Sequence, residues 1–147
     1  PFLAFIVFNL VLATSHLPFV ADTLKPLQFG QMLLDVIWLL SALAFWAAIG
    51  SFDDDEEHTL AHGKRLLYII GMTVLPTIPG AFFVFSEFPV YTTYEFATRA
   101  FADFPARDDQ VIAGLVMWVG MMPFLMVRLA LAFFVWSQAE SRRAGEI

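Results

Sequence analysis

Four apolar runs constrain this chain more than any other feature in it. They fall at about residues 1–17, 32–49, 66–85 and 111–136. A helix needs roughly 20 mostly apolar residues to cross the hydrocarbon core of a bilayer. The second and third runs meet that length or nearly do, and the fourth is long enough to tilt. The first is short, and the chain opens inside it at Pro1, with no basic stretch ahead of it. It therefore does not read as a signal peptide, and the expectation is a helix processed at its start or preceded by further residues. None of the runs alternates with a period of two, which argues against strands. The competing reading is a soluble protein with buried helices. Four such runs in 147 residues would leave too little polar surface to cover them. Only 15% of the residues are charged, against roughly a quarter in soluble domains. The expected fold is thus all-α and polytopic, about four transmembrane helices joined by short loops, forming a single domain over 1–147.

Cysteine is absent, which excludes disulfides, thiolate metal sites and cysteine nucleophiles. A net charge of −6 argues against nucleic acid as a partner. Residues 18–31, with Pro18, Asp22, Lys25, Pro26 and Gly30, are expected to form a turn-rich loop, and residues 86–110 the longest loop. Basic residues near helix ends tend to stay in the cytoplasm. Lys64, Arg65, Arg142 and Arg143 lie on one side, against Lys25, Arg99 and Arg107 on the other. The count of four against three places both chain ends in the cytoplasm and turns His16 and the 86–110 loop outward.

Polar residues in or beside a membrane helix are costly and call for a reason. On that topology His16, Gln31, Asp35, Asp108, Asp109 and Gln110 share one depth, at the outward helix ends. Gln31 and Asp35 are spaced i, i+4 and share a face. An imidazole beside carboxylates can bind a metal or relay protons, but acids also favour helix N-termini as ordinary caps. Arg128 lies inside the fourth run, about 12 Å from Trp136 at 1.5 Å per residue. Snorkelling toward the cytoplasmic side accounts for it; Asp35 lies at a different depth, so an acidic group of a partner chain is the other candidate. His58 and His62 follow the acidic run at residues 53–57. They would share a helical face, but a solvated charged loop explains them as well. Met117, Met121, Met122 and Met126 suggest a thioether stripe, which suits Cu(I); packing in a bundle is the commoner use of methionine. Pro76, Pro79 and Pro123 should bend the third and fourth helices. No catalytic triad, phosphate loop or nucleotide motif is visible, so the chain does not read as an enzyme.

Taken in order, several short motifs resemble a known family. His16-Leu17-Pro18 closes the first helix and Phe45-Trp46 lies near the end of the second. Pro76 with Pro79-Gly80-Ala81 follows, then Pro89-Val90-Tyr91 with Tyr94. Asp109-Gln110 precedes Ala113-Gly114-Leu115 and Met117-Trp118, and Trp136 comes before a charged tail. This order resembles the CtaG family of membrane-integral cytochrome c oxidase assembly factors, of the kind associated with caa-type oxidases. The resemblance implies a multi-pass protein of the bacterial inner membrane that helps mature a haem–copper oxidase, in a family connected with copper delivery. It also implies a His-x-x-Glu-His pattern early in the second helix. The register set by Trp46 puts that pattern on residues 31–35, Gln-Met-Leu-Leu-Asp, so His16 alone remains of the histidine set. One imidazole with an amide and a carboxylate is a poor Cu(I) site. No cofactor follows with certainty, and copper is the one the resemblance raises. Two expectations result. One is an oxidase assembly factor acting through outward-facing residues. The other is a permanent structural subunit of a larger respiratory or photosynthetic complex, its metal role lost, packed against lipid and neighbouring membrane subunits.

Overall fold

A computed structural model of the chain describes residues 1–50, 62–98 and 104–145. Among the described residues the fold is helical throughout, with no strand. The acidic run at 53–57, His58, Arg99 and Asp103 lie outside the described residues, as do the side chains of His62 and Arg143.

Proline sets most of the helix boundaries. Helix α1 (Phe2–Ser15) stops before Leu17, which is held extended at φ −68, ψ 131 by the following proline. Pro18 then opens α2 (Pro18–Leu24) as its first residue, where its missing N–H costs nothing. The two helices meet at 76°. Pro26 repeats the device: Leu27 is extended and α3 (Gln28–Ile49) starts after it. Gly50 closes α3 with φ 74, a conformation that suits glycine.

The third apolar run divides into α4 (His62–Val74) and α5 (Thr77–Phe85), separated at Leu75 and Pro76. A short α6 (Thr92–Glu95) crosses the following loop. The fourth run begins as α7 (Ala106–Leu115), widens into a π-turn (Val116–Gly120) and continues as α8 (Met122–Gly145). The wide turn lies directly upstream of Pro123, whose ring would clash with the carbonyl four residues back and which has no N–H to donate. Gln28–Ile49, Gly63–Phe85 and Ala106–Arg142 are long and apolar enough to cross a membrane, and the bent pair α1–α2 makes a fourth crossing if taken as one span. The chain is an all-α polytopic membrane protein.

Two loop expectations need correction. Residues 18–31 hold α2 and the first turn of α3, because Pro18 and Pro26 act as helix starters, not as turn residues. The last helix begins at Ala106, not near 111, because Asp108 and Asp109 sit in its first turn, where acids are favourable.

The helices pack pairwise, α1 on α3, α4 on α8 and α5 on α7. One core joins Phe8, Leu12, Phe45, Ile49, Tyr68, Ile69, Met72, Leu125 and Ala132. Its centre is aromatic: Phe45 is fully buried, 4.6 Å from the Tyr68 ring and 5.0 Å from Phe8. Helices α5 and α7 touch through Gly80 and Gly114. A Cβ on Gly114 would stand 2.9 Å from the Gly80 carbonyl oxygen, so the crossing needs glycine on both sides.

Candidate functional site

The bend between α1 and α2 places His16 at one end of the bundle, and its neighbours fix it there. Nδ1 lies 2.7 Å from the Leu12 carbonyl oxygen. A carbonyl can only accept, so Nδ1 carries the proton and Nε2 keeps the lone pair. The Ser15 hydroxyl lies 3.3 Å from the same Nδ1 and accepts a hydrogen bond from the Trp38 indole at 3.1 Å. The imidazole is flanked by the Trp38 ring at 6.0 Å and the Phe83 ring at 5.9 Å. The Tyr91 hydroxyl donates to the His16 carbonyl at 3.0 Å. Burial, with Tyr94 and Asp22 adding to it, pushes the Tyr91 phenol well above its ordinary range, so it stays a donor.

Two cavities open on either side of His16. The first, about 380 Å³, reaches from Lys25, Gln31 and Asp35 inward to Phe8, Leu12 and Leu125, and also takes in Met72, Met117, Met121 and Met122. The second, about 270 Å³, is lined by Pro89, Tyr91 and Tyr94 from the 86–98 segment and by Asp109 and Gln110 among others. His16, Lys25 and Met117 line both. The Lys25 ammonium lies 5.5 Å from the Tyr91 ring centre and 5.2 Å from that of Tyr94, a cation–π contact.

The fold thus gathers His16, Gln31, Asp35, Asp109 and Gln110 around two adjoining spaces, but their chemistry differs. Gln31 Nε2 donates to Asp35 at 2.8 Å, so each of these two occupies the other. Gln110 is a backbone clamp: its Nε2 donates to the carbonyls of Phe83 at 3.1 Å and Phe88 at 3.3 Å, and its Oε1 accepts the Val90 amide at 2.5 Å. Asp109 is exposed at the second cavity, while Asp108 faces Arg107 at 3.7 Å. Arg128 belongs elsewhere. Its guanidinium lies 5.6 Å from the Trp46 ring centre, and Trp46 is eleven residues beyond Asp35 on α3, about 16 Å at 1.5 Å per residue. Met126 sits at the surface, whereas Met117, Met121 and Met122 line the first cavity. Among the described residues, no three of His, Cys, Asp or Glu are grouped to hold a metal.

Sequence reasoning missed several participants. Met72 comes from α4, and nothing in its local sequence ties it to the methionines of the fourth run. Ser15 and Trp38 act on His16 through a contact 23 residues apart in sequence. Asp22 accepts the Thr93 amide at 2.9 Å and the Thr92 amide at 3.2 Å, which ties α2 to α6. Arg65, counted above among the basic residues near helix ends, is buried at 2% exposure within α4.

The family described as cytochrome c oxidase caa3 assembly factor (Caa3_CtaG) matches residues 1–139. No curated protein and no solved structure matches the chain.

Proposed function

The chain belongs to the cytochrome c oxidase caa3 assembly factor family, and from that premise we propose that it is a membrane-integral accessory protein of oxidase biogenesis with no turnover of its own. The match over residues 1–139 carries the reading. It takes in both cavities and all of the spans but the last residues of the final one. On this reading the protein resides in the bacterial inner membrane with its ends in the cytoplasm, and the His16 end of the bundle faces outward, toward maturing oxidase subunits. Lipid and those subunits are its partners.

Copper is the cargo such a role brings to mind, and the residues test that idea unevenly. Gln31 and Asp35, which stand where the resemblance implies a histidine pair, are bonded to each other and offer no imidazole, and Leu34 stands in place of its glutamate. That part of the chain does not fit a histidine-based copper site.

A clean deletion tests the proposal. Loss of caa3-type oxidase activity, with apo-subunits still in the membrane and none of this protein in the purified mature oxidase, supports an assembly factor. Stoichiometric retention of the protein in the mature enzyme, or full activity without it, refutes that role. Retention would instead point to the permanent-subunit alternative.

A further inference from the structure

Asp35 stands deeper in the membrane than its place near a helix start suggests. Helix α3 ends at Ile49, where Gly50 leads toward the acidic run. A hydrocarbon core roughly 30 Å thick takes about 20 residues of upright helix. Counted back from Ile49, those residues reach Gly30. Asp35 lies fourteen residues before Ile49, about 21 Å at 1.5 Å per residue. It is therefore about 9 Å inside the outward face of the hydrocarbon. Tilting the helix carries it deeper still. A membrane that stopped at Asp35 would leave only fourteen residues of α3 to cross it, too few to span.

An ionisable side chain at that depth is costly and is ordinarily met with a partner. Gln31 supplies part of one, since its Nε2 donates to Asp35 Oδ1 at 2.8 Å. Oδ2 can accept further bonds. Among the described residues no cationic nitrogen lies within 4 Å of the carboxylate. Lys25 borders the same cavity, but its ammonium is stacked on the rings of Tyr91 and Tyr94. The carboxylate is exposed, on one stripe of α3 with Gln28, Met32 and Leu39. Their 4-3-4 spacing is that of a seam which receives a second helix. Farther along the same stripe the chain covers itself. There Trp46 meets the Phe124 ring at 5.7 Å and the Arg128 guanidinium at 5.6 Å. Toward the outward end the fourth run packs on α5 instead. The outward half of the stripe is left uncovered, with Met32 55% and Leu39 59% exposed.

We propose that this stripe docks a transmembrane helix of a partner protein, one that carries a lysine or arginine at the depth of Asp35 and pairs with it there. Charge complementarity selects the occupant. A carboxylate in a low dielectric attracts a cation far more strongly than it does in water, and Gln31 holds this one in place. A wholly apolar helix would bury the charge unpaired, which is strongly unfavourable, and an acidic helix would repel it. Lipid ammonium groups carry the right charge but sit in the headgroup layer, outside the hydrocarbon. The inference does not rest on the assembly-factor reading. A subunit met during maturation and a permanent neighbour would use the same pair, so the contact can be tested without any oxidase.

The experiment places the full chain in phosphatidylcholine vesicles with a synthetic transmembrane peptide and follows energy transfer between dyes on the two. The peptide is a leucine–alanine helix with one lysine about six residues inside one end of its apolar stretch, the depth of Asp35 at 1.5 Å per residue. It should associate about tenfold more tightly than the same helix with leucine there, the scale of interhelical polar contacts in model peptides. A glutamate peptide should bind no better than the leucine one, and lysine at the peptide's midpoint should bind less well. Asp35→Asn should remove most of the preference for lysine, and Asp35→Lys should transfer it to the glutamate peptide. Glu140→Gln, near the far end of α8, should change nothing. Elution profile and melting temperature check that each variant folds; should Asp35→Lys misfold, the nearly isosteric Asp35→Asn decides. Equal affinity for the lysine and leucine peptides overturns the proposal, as does a lysine preference that survives in Asp35→Asn. Loss of that preference when phosphatidylethanolamine replaces part of the phosphatidylcholine also overturns it, since the carboxylate then belongs to a lipid ammonium.

Discussion

Replacing Gln110 by leucine removes three hydrogen bonds with one change of similar volume. The amide bridges α7 to the carbonyl at Phe83, near the end of α5, and to the segment that follows at Phe88 and Val90. Each ordinary bond contributes about 0.5–1.5 kcal/mol. The Phe88 contact is exposed, so water can take over there, while the bonds to Phe83 and Val90 are part-buried. The expected loss is therefore about 2 kcal/mol, on the order of thirtyfold in the unfolding equilibrium. Gln110→Glu is the sharper variant. It keeps an acceptor for the Val90 amide but turns a carboxylate oxygen toward two carbonyls, so it should cost at least as much as leucine. Reversible unfolding of the detergent-solubilised protein, followed by tryptophan fluorescence, measures both. Stability of Gln110→Glu within about 0.5 kcal/mol of the parent would refute the clamp, since that is the range of an ordinary surface substitution.

Three further substitutions probe other parts of the argument. Gly114→Ala would press a Cβ to 2.9 Å from the Gly80 carbonyl and 3.0 Å from Phe83 Cβ and should cost about 1–3 kcal/mol in the same assay, whereas Gly63→Ala, with nothing within 4 Å, should be neutral or stabilising by up to about 1 kcal/mol. Asp22→Ala removes the acceptor for the Thr92 and Thr93 amides; hydrogen exchange at those two amides should speed up, and Asp22→Asn should restore part of the protection. Phe45→Ala empties the centre of the aromatic cluster and should cost about 3–5 kcal/mol by thermal unfolding, enough to lower expression of the folded protein.

Much of the fold was legible because membrane crossings carry a strong one-dimensional signal. A helix in lipid must satisfy its own backbone, so length and apolarity alone locate Gln28–Ile49 and Gly63–Phe85 to within a few residues. The ends were less legible because caps are not apolar. Asp108 and Asp109 look like loop residues by hydropathy, yet they belong to the first turn of α7 by the electrostatics of a helix N-terminus. Pro18 and Pro26 are equally ambiguous: the same ring that ends one helix starts the next, and only the packed structure selects between turn and restart. Pro123 announced a distortion but not its kind. A kink and a π-turn both relieve the clash with residue 119, and they rotate the downstream side chains differently.

The candidate site divides along the same physical line. Depth follows from topology, so His16, Gln31, Asp35, Asp109 and Gln110 could be placed at one end of the bundle from the order of the spans alone. Direction and partner do not follow from depth. Asp109 and Gln110 are adjacent, yet one carboxylate is exposed and the other residue's amide is consumed by three backbone groups. The methionine stripe shows the limit most clearly. A strict 3.6-residue period pairs Met117 with Met121 and Met122 with Met126, as two separate faces. The π-turn breaks that period, and Met117, Met121 and Met122 line one cavity while Met126 stays at the surface. Met72 then joins them from α4. Which methionines share that cavity is thus decided by a backbone irregularity and by the packing of α4, neither of which leaves a pattern in the residues themselves.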